Sequence, residues 1–289
     1  MFSTLPRPLR NLSSTVYGMP PALDTVTSTG TAIGASLAAT TIAPGDTFQV
    51  KNTANNTPAW MLQFWAKNQA AGEVRIRSPK MHDNVDNIRA RVQSGLVDYL
   101  QPMGVKQRLF AQDVMVVELA GSAVGGQIED VCQLIYYEDL AGQAARLIDE
   151  AGLLSRMVLA NGGVNLLTVR LAITCSATAG YGGSRAINGD SDLLQANTDY
   201  AVLGMDSDLR VAAITMKGPD TGNLRVSVPG EIGKQHLFPE WFRRLSNNYK
   251  IPLIPVISSA NKGATLIETV SDQAAGTANV RIYLAQLKP

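Results

Sequence analysis

Short runs of alternating apolar and polar residues, separated by turns rich in Gly, Asn, Asp and Pro, dominate the chain. Such runs predict antiparallel strands with one buried and one solvated face. In Val74-Arg75-Ile76-Arg77, for example, the apolar side chains face one way and the arginines the other. The predicted strands occupy residues 47–52, 59–67, 73–78, 114–119, 131–137, 164–174, 199–205, 209–217, 223–228, 253–258, 264–270 and 279–287. Their spacing favours a sandwich or barrel over βαβ units.

Three stretches have a helical period instead. Residues 143–160 carry apolar side chains at positions 144, 147, 148, 151, 154 and 158, which is amphipathic helical spacing. Residues 86–99 and 237–247 each carry one stripe of large apolar side chains. Stripes of this kind are typical of core-facing helices rather than of ligand sites.

The two halves of the chain share a pattern when the second is compared with the first at an offset of 150 residues. The identical pairs are Lys67/Lys217, Gly72/Gly222, Arg75/Arg225, Pro79/Pro229, Tyr99/Tyr249, Pro102/Pro252 and Glu118/Glu268. Chance would give about three such pairs over this span. The strand at 72–79 overlays 222–229, and the helix at 86–99 overlays 237–247. The repeat therefore predicts two modules with one order of elements, bridged by the helix at 143–160.

The charge of the chain is informative mainly because it argues against certain functions. The chain has 25 basic and 24 acidic residues, a net charge of +1, and 17% charged residues against about 25% in an average soluble domain. This near-neutral balance argues against electrostatic binding of nucleic acid as the main task. No apolar run is long enough for a transmembrane helix. Residues 1–21, with Arg7 and Arg10 among prolines, lack a signal-peptide core and are predicted to form an extended arm.

The sequence contains few candidate catalytic or metal-binding residues. His82 and His236 lie far apart, and neither has the neighbouring ligands that a zinc site needs. Cys132 and Cys175 are interpreted as two buried free thiols, with a disulfide between them left open. No phosphate-binding loop or nucleophile elbow occurs, and Ser122 is interpreted as a turn residue. We therefore predict no catalytic residue, no cofactor and no metal.

Two further motifs are interpreted as loops. The glycine-rich run at 180–184 lacks the spacing of a dinucleotide-binding turn and is predicted to be a flexible surface loop. The carboxylate pairs Asp190/Asp192 and Asp206/Asp208 occur in polar stretches that favour solvated turns. A Ca²⁺ site at either pair stays open as the alternative, because carboxylate oxygens are calcium ligands.

The doubled layout resembles that of the double jelly-roll major capsid proteins of tailless icosahedral viruses, in particular bacteriophages with an internal membrane. The resemblance covers residues 40–289 and rests on two modules of similar length with a helix inside each. It implies an all-β fold of two tandem jelly-roll β-sandwiches with short inserted helices. The implied division is an arm at 1–21, a first module at 22–142, a bridging helix at 143–163 and a second module at 164–289.

The same resemblance implies that the chain is a structural protein and not an enzyme. Three copies form a homotrimer with a pseudo-sixfold outline, and trimers tile the shell of a virion that assembles in the host cytoplasm. Minor capsid or vertex proteins are further expected partners, as is an inner membrane surface reached by the arm. No specific nucleic acid is expected.

A carbohydrate-binding or adhesive β-sandwich is the alternative, with Trp60 and Trp65 as stacking platforms for sugar rings. These tryptophans lie five positions apart, so on a regular strand they face opposite sides and at least one is expected in the core. A cupin-like enzyme is disfavoured because only two histidines are present.

Overall fold

The computed structural model is built almost wholly from antiparallel strands. It describes residues 21–31, 38–39, 41–43, 48–53, 57–68, 72–81, 85, 88–92, 97–100, 106–120, 128–140, 145–160, 163–176, 180–209, 211–230, 240–270 and 276–288. No helix in this described part is both long and apolar enough to span a bilayer.

In the described residues, the first sandwich has ten strands in two sheets. They are β1 (Ala22–Thr31), β2 (Ala38–Ala39), β3 (Thr41–Ala43), β4 (Ala59–Asn68), β5 (Gly72–Arg77), β6 (Ile88–Val92), β7 (Val97–Leu100), β8 (Gln107–Leu109), β9 (Val116–Ala120) and β10 (Ile128–Tyr137). One sheet has the order β3-β1-β10-β4-β7, with β8 also paired to β4. The other has the order β2-β9-β5-β6.

A short connection leads to the second sandwich. It comprises β11 (Leu147–Ile148), helix α1 (Glu150–Arg156), β12 (Leu159–Ala160) and β13 (Gly163–Val164). The second sandwich follows with β14 (Leu166–Thr174), β15 (Tyr181–Ala186), β16 (Asp199–Ser207), β17 (Val211–Lys217), β18 (Val226–Gly230), helix α2 (Trp241–Tyr249), β19 (Ile254–Ser258), a 3₁₀ turn (Ser259–Asn261), β20 (Leu266–Val270) and β21 (Thr277–Leu287). Its sheets have the orders β11-β19-β16-β21-β14 and β15-β20-β17-β18.

The two sandwiches have the same strand order. The core path β1-β10-β4-β7 of the first corresponds to β14-β21-β16-β19 of the second, and β2-β9-β5-β6 corresponds to β15-β20-β17-β18. The eight strands in these paths are numbered in chain order within each module, so β3 and β8 of the first module are left out. In both modules one sheet then has the order first-eighth-third-sixth and the other has the order second-seventh-fourth-fifth. This is the order of an eight-stranded jelly roll, made of two Greek keys. The predicted fold class, two tandem jelly-roll β-sandwiches, is confirmed.

The offset of 150 residues holds only for part of the repeat. Glu118 and Glu268 do lie on corresponding strands, β9 and β20. The partner of Glu118 across the ladder is Arg75, whereas the partner of Glu268 is Thr215, so β5 corresponds to β17 and not to residues 222–229. The offset changes because the second sandwich carries α2 between its fifth and sixth strands, β18 and β19. The overlays of Gly72 with Gly222 and of Pro79 with Pro229 are therefore wrong, and Pro102 lies outside the described residues.

The helix predicted over residues 86–99 is wrong, since the described residues of this stretch form strands β6 and β7. A spacing of four residues between Ile88 and Val92 fits a helical turn, but it is also two strand periods. Pairing of β6 with β5 over five residues decides between the two, because tertiary contacts override weak local preferences.

The bridging helix predicted at 143–163 is also wrong in extent. Among the described residues of this stretch only Glu150–Arg156 is helical, and this helix begins where the Asp149 side chain accepts a hydrogen bond from Gly152 N at 2.7 Å. Leu147–Ile148 instead pairs with β19, and Leu159–Ala160 pairs with Gly163–Val164. The helix predicted over 237–247 is confirmed from Trp241 onward as α2.

The glycine-rich run at 180–184, predicted to be a surface loop, belongs mainly to strand β15. Its glycines allow β15 to pass close to the end of β14. A Cβ on Gly182 would lie 2.5 Å from Thr174 O and 3.0 Å from Ser176 N, whereas a Cβ on Gly183 would lie 3.5 Å from Thr174 O. Only the first of these two glycines is required by space.

We predict that Gly182→Ala lowers the free energy of unfolding by about 2 kcal/mol, because the added methyl group meets backbone atoms that cannot move independently. Gly183→Ala, on the neighbouring residue of the same strand, should change it by less than about 1 kcal/mol. Urea denaturation of both variants measures the difference. Equal stability of the two variants would contradict the close approach of β15 to β14.

Candidate functional site: the junction between the sandwiches

Strands β1, β10 and β4 of the first sandwich are buried on both of their faces. Ala22, Met61 and Val131 point into the core of the first sandwich. On the other face of the same strands, six side chains belong to the core cluster of the second sandwich: Leu23, Leu62, Trp65, Cys132, Leu134 and Tyr136. The outer face of β1, β10 and β4 thus packs on β17 and β18, and its side chains form part of the core of the second sandwich.

Trp65 stands at the centre of this junction. Its side chain is fully buried, its Nε1 donates to the carbonyl oxygen of Ala212 at 2.8 Å, and its ring meets that of Trp241 edge-on, with centroids 6.2 Å apart. Helix α2 is held to the first sandwich a second time, because Tyr249 Oη donates to Leu62 O at 2.6 Å. Burial and directional hydrogen bonds together fix one relation between the sandwiches.

A line of polar contacts runs along the same junction. Arg225 pairs with Glu268, with 3.3 Å between Nε and Oε2, and its guanidinium lies 4.1 Å from the ring centre of Tyr181. Tyr181 Oη in turn donates to Thr27 Oγ1 of the first sandwich at 3.3 Å. Burial raises the pKa of Tyr181 to about 12, so its hydroxyl remains a donor at neutral pH. The backbone of Thr25 adds a bond to Arg225 O.

Glu118, the counterpart of Glu268, lies on the open outer face of the first sandwich. Its carboxylate pairs with Arg75 at 2.5 Å and with Arg77 at 3.1 Å, and its side chain is 9% exposed. Burial raises the pKa of Glu118, but the hydrogen bonds and charges of Arg77 and Arg75 outweigh burial and hold that pKa below its usual range. The arginines of strand β5 do face away from the core, as the alternating pattern predicts.

Both cysteines are free and buried, which confirms the sequence interpretation. Cys132 lies at the junction within 3.6 Å of Thr27 Oγ1, and Cys175 lies in the second sandwich near Thr269. Burial raises the pKa of the Cys132 thiol far above its usual range. A thiol in this environment is a packing group and not a nucleophile.

The carboxylate pairs are engaged by the protein's own donors. Asp190 and Asp192 form ion pairs with Arg185 and Lys262. The described part of the chain contains no group of three His, Cys, Asp or Glu side chains placed to hold a metal ion. His82, His236 and Ser122 lie outside the described residues.

Asp206 and Asp208 are anchored on the neighbouring strand rather than free in a turn. Asp206 is buried and accepts from Arg281 Nε at 2.6 Å and from Tyr283 Oη at 2.8 Å. Asp208 accepts from the backbone and side-chain nitrogens of Asn279. The interpretation of this pair as a solvated turn is wrong for Asp206, because Asp206 lies in strand β16 opposite Arg281 of β21.

The two tryptophans of β4 pack against the same core cluster, so the prediction that they face opposite sides is wrong. Strand β4 carries an extra residue, Leu62, opposite β10, and this bulge resets the alternation of side chains. Trp60 is partly covered, because its Nε1 donates to Glu138 Oε1 at 2.9 Å and Lys106 Nζ lies 4.3 Å from its ring centre. Trp65 is inaccessible to a sugar.

Comparison with known proteins leaves the chain without an assigned family. No family model matches, and no curated protein matches. A protein of Bacillus endospore appendages, described as disulfide-linked pili, is 17% identical over 45% of this chain and 99% of its own, with a TM-score of 0.26. The PBSX exported protein XepA is 9% identical over 91% and 86%, with a TM-score of 0.27.

The STIV major capsid protein is 11% identical over 91% of this chain and 96% of its own, with a TM-score of 0.20. Because these TM-scores lie below 0.5 and the identities below 25%, the three similarities establish neither a family nor a function for this chain. The double jelly roll therefore rests on the strand order of this chain alone.

The ion pairs of Glu118 predict a stability that depends on pH. Because its pKa is lower in the folded chain than in the unfolded one, Glu118 stabilises the fold above the unfolded value of about 4.3, and this contribution is lost as the pH falls through the folded value. We expect Glu118→Gln to lower the free energy of unfolding at pH 7 by about 1–2 kcal/mol, less than for a fully buried pair because both arginines are partly exposed.

Urea denaturation at pH 7 and again near pH 3 measures this effect. The difference between wild type and Glu118→Gln should shrink as the pH falls through the folded pKa of Glu118, because the wild-type carboxylate then becomes protonated as well. Glu73→Gln is the matched control on the same sheet face, because Glu73 and its partner Arg89 are more exposed. An unchanged difference at both pH values would contradict the shift in the pKa of Glu118.

Proposed function

We propose that this chain is the repeating subunit of an icosahedral virus shell, in which three copies form a trimer and trimers tile the surface. One observation carries the proposal: the chain contains two jelly rolls of the same strand order, and a buried junction holds them in one relation. Each chain of this kind therefore supplies two similar sandwiches in a fixed arrangement.

A chain with two similar sandwiches is suited to tiling a surface. Three such chains around a threefold axis place six similar sandwiches in a ring, and a ring with a nearly hexagonal outline fills a surface without gaps. Closed point-group symmetry is the usual outcome for identical subunits. The requirement on the monomer is that its two sandwiches do not move against each other, and the shared core around Trp65 supports this.

The surface composition suits repeated burial. Permanent interfaces bury on the order of 2,000 Å² or more and are poor in charged groups, and only 17% of this chain is charged. Several large apolar side chains are exposed: Val85, Phe110, Val114, Leu154, Leu166 and Leu193. Leu154 lies on helix α1 and the other five lie in loops, at element ends or next to them, where neighbouring subunits would cover them.

The remaining expectations belong to the same proposal. The protein acts in the virion, assembles in the host cytoplasm and has no catalytic role. Minor capsid or vertex proteins are further partners, and residues 1–21 contact a neighbour or an inner membrane surface. The adhesive alternative loses its sequence support, because Trp65 is buried and Trp60 is partly covered.

We predict that the purified protein sediments as a trimer of 30.8 kDa chains and remains one in about 1 M salt. Apolar contacts are not screened by salt, whereas exposed ion pairs lose most of their strength there. Analytical ultracentrifugation at low and high salt measures the state, and electron microscopy detects shells. Monomers at micromolar concentration in both salts would remove the main physical support for the proposal.

We also predict that removal of residues 1–21 leaves trimers intact and reduces the yield of shells. The sandwich strands begin at Ala22, so the deletion takes no strand from the fold. Sedimentation separates the two effects, with replacement of Arg7 and Arg10 by Gln as a control for charge alone. Loss of the trimer on deletion would contradict an arm that acts only between trimers.

A further inference from the structure

Strand β14 forms an uncovered edge of the second sandwich. It pairs with β21 along its whole length, from Leu166 opposite Ala285 to Thr174 opposite Thr277, without a register shift. Its other edge pairs with no strand among the described residues. The corresponding strand of the first sandwich, β1, is covered there by β3, with Ser28 opposite Ile42.

The direction of the backbone groups along β14 follows from three hydrogen bonds. Asn165 O accepts from Gln286 N, and Cys175 N donates to Gly276 O, so odd-numbered residues point toward β21. Ala172 N instead donates to Asp190 Oδ2 at 2.7 Å on the open side. Since backbone groups alternate along an antiparallel strand, the N–H and C=O of three further residues also point to the open side: Leu166, Thr168 and Arg170.

These six backbone groups have no hydrogen-bond partner in the described part of the chain. The open stretch begins at Leu166, the first residue of β14, and ends at Ala172, whose N–H donates to Asp190 Oδ2. The edge also lacks the usual protection, since Leu166–Thr174 contains no proline and no bulge. Leu166 is 63% exposed, and Thr168 and Arg170 are exposed as well.

We propose that this edge binds the same edge of a second copy, in an antiparallel pairing about a twofold axis at Thr168. Leu166 of each copy then lies opposite Arg170 of the other, and Thr168 lies opposite Thr168. Every one of the open N–H and C=O groups on both copies gains a partner, and the two five-strand sheets join into one.

Charge and hydrogen bonding both select this register. An axis at Arg170 would oppose two guanidinium groups and would call on Ala172, whose N–H is already bound to Asp190. An axis at Leu166 would leave Arg170 without an open partner on β14. With the axis at Thr168, the two Arg170 side chains are separated by about 14 Å along the strands.

The contact is isologous, because the same surface is used on both copies. It rests on the proposed function only for its place in the shell, between trimers. A threefold trimer with three such edges contacts three neighbours through twofold axes, and repetition of these two operations generates a continuous layer.

Engineered cysteines test both the contact and its register. Leu166→Cys and Arg170→Cys are prepared separately and also mixed, and each sample is oxidised under conditions that allow assembly. Across an antiparallel pair the Cα atoms are about 5.5 Å apart, within disulfide range. We expect disulfide-linked dimers on a non-reducing gel from the mixture, and from Thr168→Cys alone, with at least about a tenfold lower yield from either Leu166→Cys or Arg170→Cys by itself.

The wild type is the control for background, because Cys132 and Cys175 are buried. Thr168→Pro is a second variant that removes one N–H from the open edge and none from the ladder with β21. It should keep trimers and raise the protein concentration needed for shells by about tenfold or more. Equal assembly of Thr168→Pro and wild type would overturn the pairing.

Sedimentation of the same samples separates this inference from the proposed function. Shells without the cross-links would overturn the edge pairing and leave the shell subunit standing, with another strand, such as one from residues 1–21 of a neighbour, as the occupant of the edge. Cross-linked dimers without trimers or shells would support the pairing and count against the shell. Neither cross-links nor assembly would overturn both.

Discussion

The structure depends on the burial of one β-sheet on both of its faces. Strands β1, β10 and β4 close the core of the first sandwich on one side and carry the junction with the second on the other. For this reason these strands do not show the clean alternation of a half-wet sheet, and residues 61–67 and 131–137 are buried without interruption. Because Trp65 and its neighbours on this face belong to the core cluster of the second sandwich, separating the sandwiches would expose apolar area comparable to that of a core and not of a surface contact.

The duplicated fold shows how one face was adapted to this burial. Across the outer face of the first sandwich, Thr27, Cys132 and Trp65 form one row of opposed residues. On the corresponding strands β14, β21 and β16 of the second sandwich, a row consists of Arg170, Arg281 and Asp206. The strand order is the same in both, but the buried row is neutral and the open row is charged. The difference follows from the cost of burying charges without partners.

The sequence predicts the fold class better than it predicts individual elements. Alternation in Val74-Arg75-Ile76-Arg77 is an intrinsic property of a strand and survives in the fold. Spacing at Ile88 and Val92 does not distinguish a helix from a strand, and the pairing that decides between them is not local. The extra residue Leu62 reverses which side Trp60 faces, and no local signal marks that bulge. The junction itself was out of reach, because it joins residues such as Trp65 and Ala212 that lie far apart in the chain.

Contacts of very different strength follow from this arrangement. Within the chain, an apolar junction with directional bonds from Trp65 and Tyr249 leaves the sandwiches no freedom. Outside it, the open backbone edge of β14 gains only modest hydrogen-bond energy on leaving water, and so is suited to the contacts between trimers rather than within them. In the proposed shell, weak contacts between rigid trimers would let a misplaced trimer dissociate, while many simultaneous contacts would hold a completed lattice. Weak contacts between subunits are sufficient for the proposed assembly because each subunit is rigid. No contact energy is then spent on ordering its two sandwiches.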